Sequence, residues 1–175
     1  MVIKTDKKMS TKNLSTADAI IKLKEFVDSN ATCFFCTNIA DGKFDTRPMS
    51  SQQVDDEGNV WFLSKKGSDK DFDIKRDDKV QLLYSLSSHS GFMSVQGKAT
   101  TTDDQAKIDE LWTPIAKVWF PEGKEDPSIS VIKVTTDGGY YWDTEHGKVV
   151  SFIKMAASLV TGETKDDGVQ GTMSL

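Results

Sequence analysis

At 175 residues, with 37% hydrophobic and 28% charged side chains, the chain suits one soluble globular domain with its own core. A net charge of -5 disfavours nucleic acid as the main partner, because a duplex needs a basic face. Apolar runs no longer than Cys33-Phe34-Phe35-Cys36 argue against a membrane span, and the polar, Lys-rich residues 1–12 argue against secretion, so a cytoplasmic location is expected.

In chain order, residues 1–13 read as a disordered N-terminal arm. A helix follows, opened by Ser15 or Thr16 with Asp18 in its first turn, and Ile20, Leu23, Phe26 and Val27 recur at helical spacing to about Ser29. Strand-like runs cover 31–39, 44–54, 59–65, 79–87 and 91–102, with turn chemistry at Asp41-Gly42 and Glu57-Gly58-Asn59. Between the third and fourth runs, 67–77 reads as a short helix capped by Ser68, with Phe72 and Ile74 or Lys75 turned inward or flanking. A second long helix spans about 102–118 and should break near Trp112, because Pro114 lies inside it. Strands at 129–136 and 139–144 flank Gly138-Gly139, which reads as a hairpin turn, and 149–161 reads as a helix or strand-helix hybrid. The domain thus occupies 14–161, and the polar, Gly-containing residues 162–175 read as a flexible tail.

Six or more short antiparallel strands with two or three helices make an α+β chain, and a closed or split barrel hides its sheet edges. So small a barrel has little interior room, so a large flat ligand would sit outside it, where two copies meet. Cys33 and Cys36 form a C-x-x-C spacing, but an aromatic, Thr-rich strand points them to opposite faces, so both read as buried structural cysteines. His89 and His146 are the chain's two histidines and neither has a Cys or carboxylate at ligand spacing, so no metal is expected.

The chemistry concentrates around Thr46-Arg47-Pro48-Met49-Ser50 and Ser64-Lys65-Lys66-Gly67-Ser68-Asp69-Lys70. The chain has two arginines against twenty lysines, and an arginine offers a rigid fork of donors suited to phosphate. If 44–54 and 59–65 pair as a hairpin, Arg47 and residues 64–66 fall toward one end of the sheet. Ser68-Asp69-Lys70 opens a helix whose free N–H groups and dipole also favour an anion. The competing reading is a solvated Lys-rich turn.

Arg47-Pro48-Met49-Ser50, Trp61-Phe62-Leu63-Ser64 and Ser68-x-Lys70, in that order, resemble the flavin mononucleotide (FMN)-binding split-barrel superfamily, which includes pyridoxamine 5'-phosphate oxidase. Ser94-Val95-Gln96-Gly97, Leu111-Trp112, Trp119-Phe120-Pro121-Glu122-Gly123 and Tyr141-Trp142-Asp143 resemble its general stress protein subgroup. The resemblance spans roughly 15–155 and implies a six-stranded antiparallel split β-barrel with flanking helices, FMN as cofactor, and a homodimer with flavin at the subunit interface.

It further implies that Arg47, Ser68 and Lys70 hold the flavin phosphate, with Lys66 in the same cationic cluster. Pro48, Met49, Ser50, Phe62, Leu63 and Ser64 would line the rest of the cofactor, and Phe92 and Trp142 would be presented by the second subunit. Trp119 sits in a loop and would either pack a dimer or cover the flavin ring. The oxidases of this superfamily carry an Arg-x-His element after the matching tryptophan, whereas Asp143-Thr144-Glu145-His146-Gly147-Lys148 holds no arginine, so vitamin B6 oxidation is not expected. The expected function is flavin-dependent oxidoreduction of a small-molecule substrate, with no evident catalytic side chain. The alternatives are a flavin-buffering stress protein and a haem-binding split barrel using His89 or His146.

Overall fold

The structure is a computed structural model and describes residues 10–41, 44–86, 91–144 and 168–175. The helix or strand-helix hybrid expected at 149–161 and both histidines lie outside the described residues.

Helix α1 (Thr16–Ser29) buries Ala19, Leu23, Phe26 and Val27, which share one helical face. Five strands follow the expected runs, β2 (Thr32–Thr37), β3 (Asp45–Val54), β4 (Val60–Lys65), β5 (Lys79–Ser85) and β6 (Phe92–Thr102), and a sixth, β7 (Ile129–Thr144), joins the two runs expected at 129–136 and 139–144. They pair antiparallel in the order β7-β4-β3-β2-β5-β6, and β6 pairs β7 to close a six-stranded barrel. The period-2 alternation sends Phe35, Phe62, Val80, Leu82, Val95, Ile132 and Val134 into one interior cluster. There the Phe35 and Phe62 rings meet edge-to-face, centroids 5.3 Å apart at 89°.

The expected break at Trp112 is present. Helix α3 (Gln105–Leu111), with the Asp104 carboxylate accepting the Ala106 N–H at 3.0 Å, stops before it. A 3-10 helix then covers Pro114–Val118, because proline cannot continue the α-helical ladder. Ile108, Leu111, Ala116 and Phe120 from this segment bury Ile129 and Val131 in a second cluster, with Trp61, Leu63 and Trp112 at its edge. Helix α2 (Asp69–Arg76) buries Asp71 and Ile74, three residues apart, and leaves Phe72 exposed, contrary to the inward or flanking place expected for it.

Gly138-Gly139 is not a hairpin turn. β7 runs through it, with Gln96 opposite Gly138 and Gly97 opposite Thr136, so Asp137 bulges. The glycines are there for close approach: a Cβ on Gly139 would lie 2.5 Å from the Ser94 carbonyl oxygen, and one on Gly97 2.4 Å from that of Thr135. Gly139→Ala should therefore cost about 1–3 kcal/mol, read as a lower urea midpoint.

The mobile tail expected over 162–175 does not hold for Gly168–Ser174, which forms strand β8. β8 pairs antiparallel with the second half of β7, whose first half pairs with β4. Ser10–Thr11, read as part of a disordered arm, is a short strand β1 parallel to β8, and the Tyr141 hydroxyl donates to the Lys12 carbonyl at 2.7 Å. Backbone pairing and the burial of Met173 order this polar segment, neither of which its composition announces. No helix among the described residues is long and apolar enough to cross a membrane. Cys33 and Cys36 are buried free thiols, and burial pushes the Cys33 thiol up to about 12, so it stays protonated at neutral pH.

Candidate functional site

Arg47 sits near the start of β3, opposite Phe35 in the β2–β3 register. Its NH1 group donates to the Thr37 hydroxyl at 3.1 Å and its NH2 group to Asp73 Oδ2 on α2 at 3.2 Å. A guanidinium carries five N–H donors, so these two bonds leave three for a ligand. Lys70, in the first turn of α2, donates to the Ser68 hydroxyl at 3.2 Å and makes no ion pair among the described residues. Its ammonium is held below its ordinary range by burial and by the positive charge of Arg47, against the attraction of Asp71 and Asp69. Two cations are thus held within electrostatic reach of each other, where an anion between them relieves the repulsion.

Ser68 occupies the N-cap of α2 as expected, but its hydroxyl makes no capping bond. The Asp71 N–H already donates to the Ser68 carbonyl at 2.8 Å, so among the described residues the Asp69 and Lys70 N–H groups are the ones left for an incoming anion. The Ser64 hydroxyl, at the end of β4 from which this loop departs, is buried and has no partner among the described residues. Arginine, lysine, serine hydroxyls and a helix end are the donor set that a phosphate monoester requires, and these residues fit one.

The outer face of the sheet carries the second feature. Phe34 on β2 lies opposite Pro48 on β3 and Leu83 on β5, and Leu83 lies opposite Ser94. Phe92, two residues before Ser94 and so on the same face, lies opposite Trp142 on β7. On this face Phe34 is 56% exposed, Phe92 47%, Trp142 40% and Leu83 38%. A contiguous apolar sheet face of this kind marks an interaction surface.

The pyridoxamine 5'-phosphate oxidase like family matches residues 18–166. The chain belongs to that family. The protein bli-3 of Neurospora crassa is 24% identical over 151 residues, covering 81% of this chain and 72% of the relative. Among solved structures, a general stress protein 26 homologue from Jannaschia sp. CCS1 superposes with a TM-score of 0.73 at 26% identity, covering 91% of this chain and 99% of that one. The general stress FMN/FAD binding protein of Xanthomonas citri shares the fold with a TM-score of 0.60 at 22% identity, over 72% of this chain and 90% of that one.

In this oxidase-like chain Met49 points into the barrel and packs against the main core, leaving Pro48 and Ser50 on the outer face. Phe62 is fully buried, so its backbone alone can face a ligand. Trp61, on the opposite side of β4, lies under Lys107 at 4.0 Å and Lys133 at 5.4 Å, and donates to Asp55 at 2.8 Å. Lys66 is drawn 3.3 Å from Asp103. Trp119 is exposed at the end of the 3-10 helix while its neighbour Phe120 is buried. Thr37 and Asp73, which hold Arg47, and Asn38 and Arg76, which meet the same Asp73 carboxylate, are not among the site residues expected from the sequence. The three-residue spacing of Lys70, Asp73 and Arg76 sets them on neighbouring turns of α2, but an i,i+3 charge pattern is common on solvated helix faces and does not by itself mark them.

Proposed function

We propose that the protein is a homodimeric flavoprotein of the general stress type that binds FMN and serves as a flavin-dependent oxidoreductase for a small-molecule substrate. The observation that carries this reading is that Arg47, bonded to Asp73 of α2, lies within electrostatic reach of Lys70 in the first turn of the same helix, whose N-cap Ser68 makes no capping bond. Family membership and the flavin named for the Xanthomonas citri relative support it.

Arg47, Lys70, Ser68 and the Asp69 and Lys70 N–H groups at the start of α2 would hold the phosphate, each charged hydrogen bond contributing about 1.5–3 kcal/mol. The buried Ser64 hydroxyl would gain a partner. Pro48, Ser50 and the backbone of β3 and β4 would line the remainder of the cofactor. The apolar face of Phe34, Leu83, Phe92 and Trp142 would bury against a second copy and exclude water from the site. Bound FMN supplies hydride or electron transfer, while the chain supplies binding, orientation and access. The visible spectrum of the purified protein tests the proposal. A flavin absorption is expected, and a colourless preparation that takes up no added FMN overturns it.

A further inference from the structure

The chain's two arginines, Arg47 from the barrel and Arg76 from α2, meet at one carboxylate, that of Asp73. Its side chain is 14% exposed, and it is held from several directions. Asp73 Oδ2 accepts the Thr37 hydroxyl at 2.8 Å as well as Arg47 at 3.2 Å. Oδ1 accepts the Asn38 amide at 2.9 Å and lies 3.7 Å from Arg76. Asn38 is itself fixed, its amide donating to Asp45 at 2.7 Å and its oxygen accepting Arg76 at 2.5 Å. It adopts a left-handed φ of 58°, which asparagine tolerates better than most residues. The proton accounting closes, because Thr37 gives its hydroxyl hydrogen to Asp73 and accepts Arg47 on a lone pair.

Resting on the flavin-phosphate reading above, we propose that Asp73 is a positioning residue. It locks the Arg47 guanidinium, through Thr37 and its own carboxylate, in the orientation that presents the three remaining N–H groups to the phosphate. A carboxylate next to an anion site could instead compete for the arginine, and geometry decides between the two. Asp73 is anchored by Thr37 and Asn38 independently of Arg47, so it is not free to swing aside and back. An arginine held beforehand loses less rotamer freedom when the ligand arrives.

Riboflavin lacks the phosphate, so the ratio of FMN to riboflavin affinity isolates the phosphate's contribution. The wild-type chain should prefer FMN, and Arg47→Ala should remove most of that preference. Asp73→Ala should lower the preference about tenfold and leave riboflavin affinity within about twofold. In the Arg47→Ala background the same change should lower it no further, since the guanidinium it orients is gone. An Asp73→Ala preference that stays or rises, while Arg47→Ala abolishes it, overturns the positioning role and leaves the flavin reading standing. A wild-type chain that binds neither flavin, or both equally, removes the two together. If Asp73→Ala loses riboflavin binding through misfolding, Asp73→Asn decides. It has the same size and an acceptor for Thr37 but no charge for Arg47, so the preference should drop severalfold, and an unchanged one refutes the role.

Discussion

Arg47→Ala should weaken FMN binding by about 2 kcal/mol or more, roughly 30-fold, measured by fluorescence titration of the apoprotein. The size follows from what the truncation removes. It deletes a guanidinium that keeps three N–H groups beyond its bonds to Thr37 and Asp73, and leaves the partly buried Asp73 carboxylate without one of its donors. The control is Lys124→Ala. Lys124 pairs with Asp109 at 3.1 Å, with side chains 47% and 42% exposed, and exposed pairs contribute about 0–1 kcal/mol to stability. It lies in the loop after the 3-10 helix, so flavin affinity should be nearly unchanged. Equal losses from the two variants would mean that the phosphate does not sit at Arg47.

Phe62→Ala should have the largest effect on stability, about 3–5 kcal/mol, a substantial part of the total of a domain this size. Phe62 is 0% exposed, is among the largest fully buried side chains, and meets the ring of Phe35 edge-to-face. Removing it leaves a cavity between β2 and β4 that the closed barrel cannot collapse to fill, because both strands are paired on each side. The urea midpoint should fall with the m-value unchanged. A loss under about 1 kcal/mol would mean that the barrel interior repacks freely.

The first five barrel strands and the amphipathic helix Thr16–Ser29 were legible because each carries its own periodicity, and the sixth strand, Ile129–Thr144, was legible in two pieces. Pro114 likewise announces the break at Trp112 from a single local clash. The candidate anion site was half legible. Arg47 and Lys70 stand out in the sequence as a rare arginine and a hydroxyl-rich cationic run, and α2 puts them within reach of each other. Asp73 does not stand out, since a carboxylate among Asp69, Asp71 and Asp77 looks like an ordinary solvated helix face. Phe72 misleads in the opposite direction: an aromatic reads as core, yet the inward face of α2 is set by Asp71 and Ile74. Gly138-Gly139 misleads for a related reason, because glycine serves both turns and close strand crossings.

Local patterning, then, determined the type of each major element and the class of fold, since a residue's preference for helix or strand and for burial acts over a few neighbours. Closure of the barrel decided the rest. It recruited the polar Gly168–Ser174 to the edge of β7 and brought Arg47 to Asp73, 26 residues away, and Asn38 to the same carboxylate across 35. Pairings at such separations depend on where whole strands and helices are set against each other, and no short window of sequence carries that information.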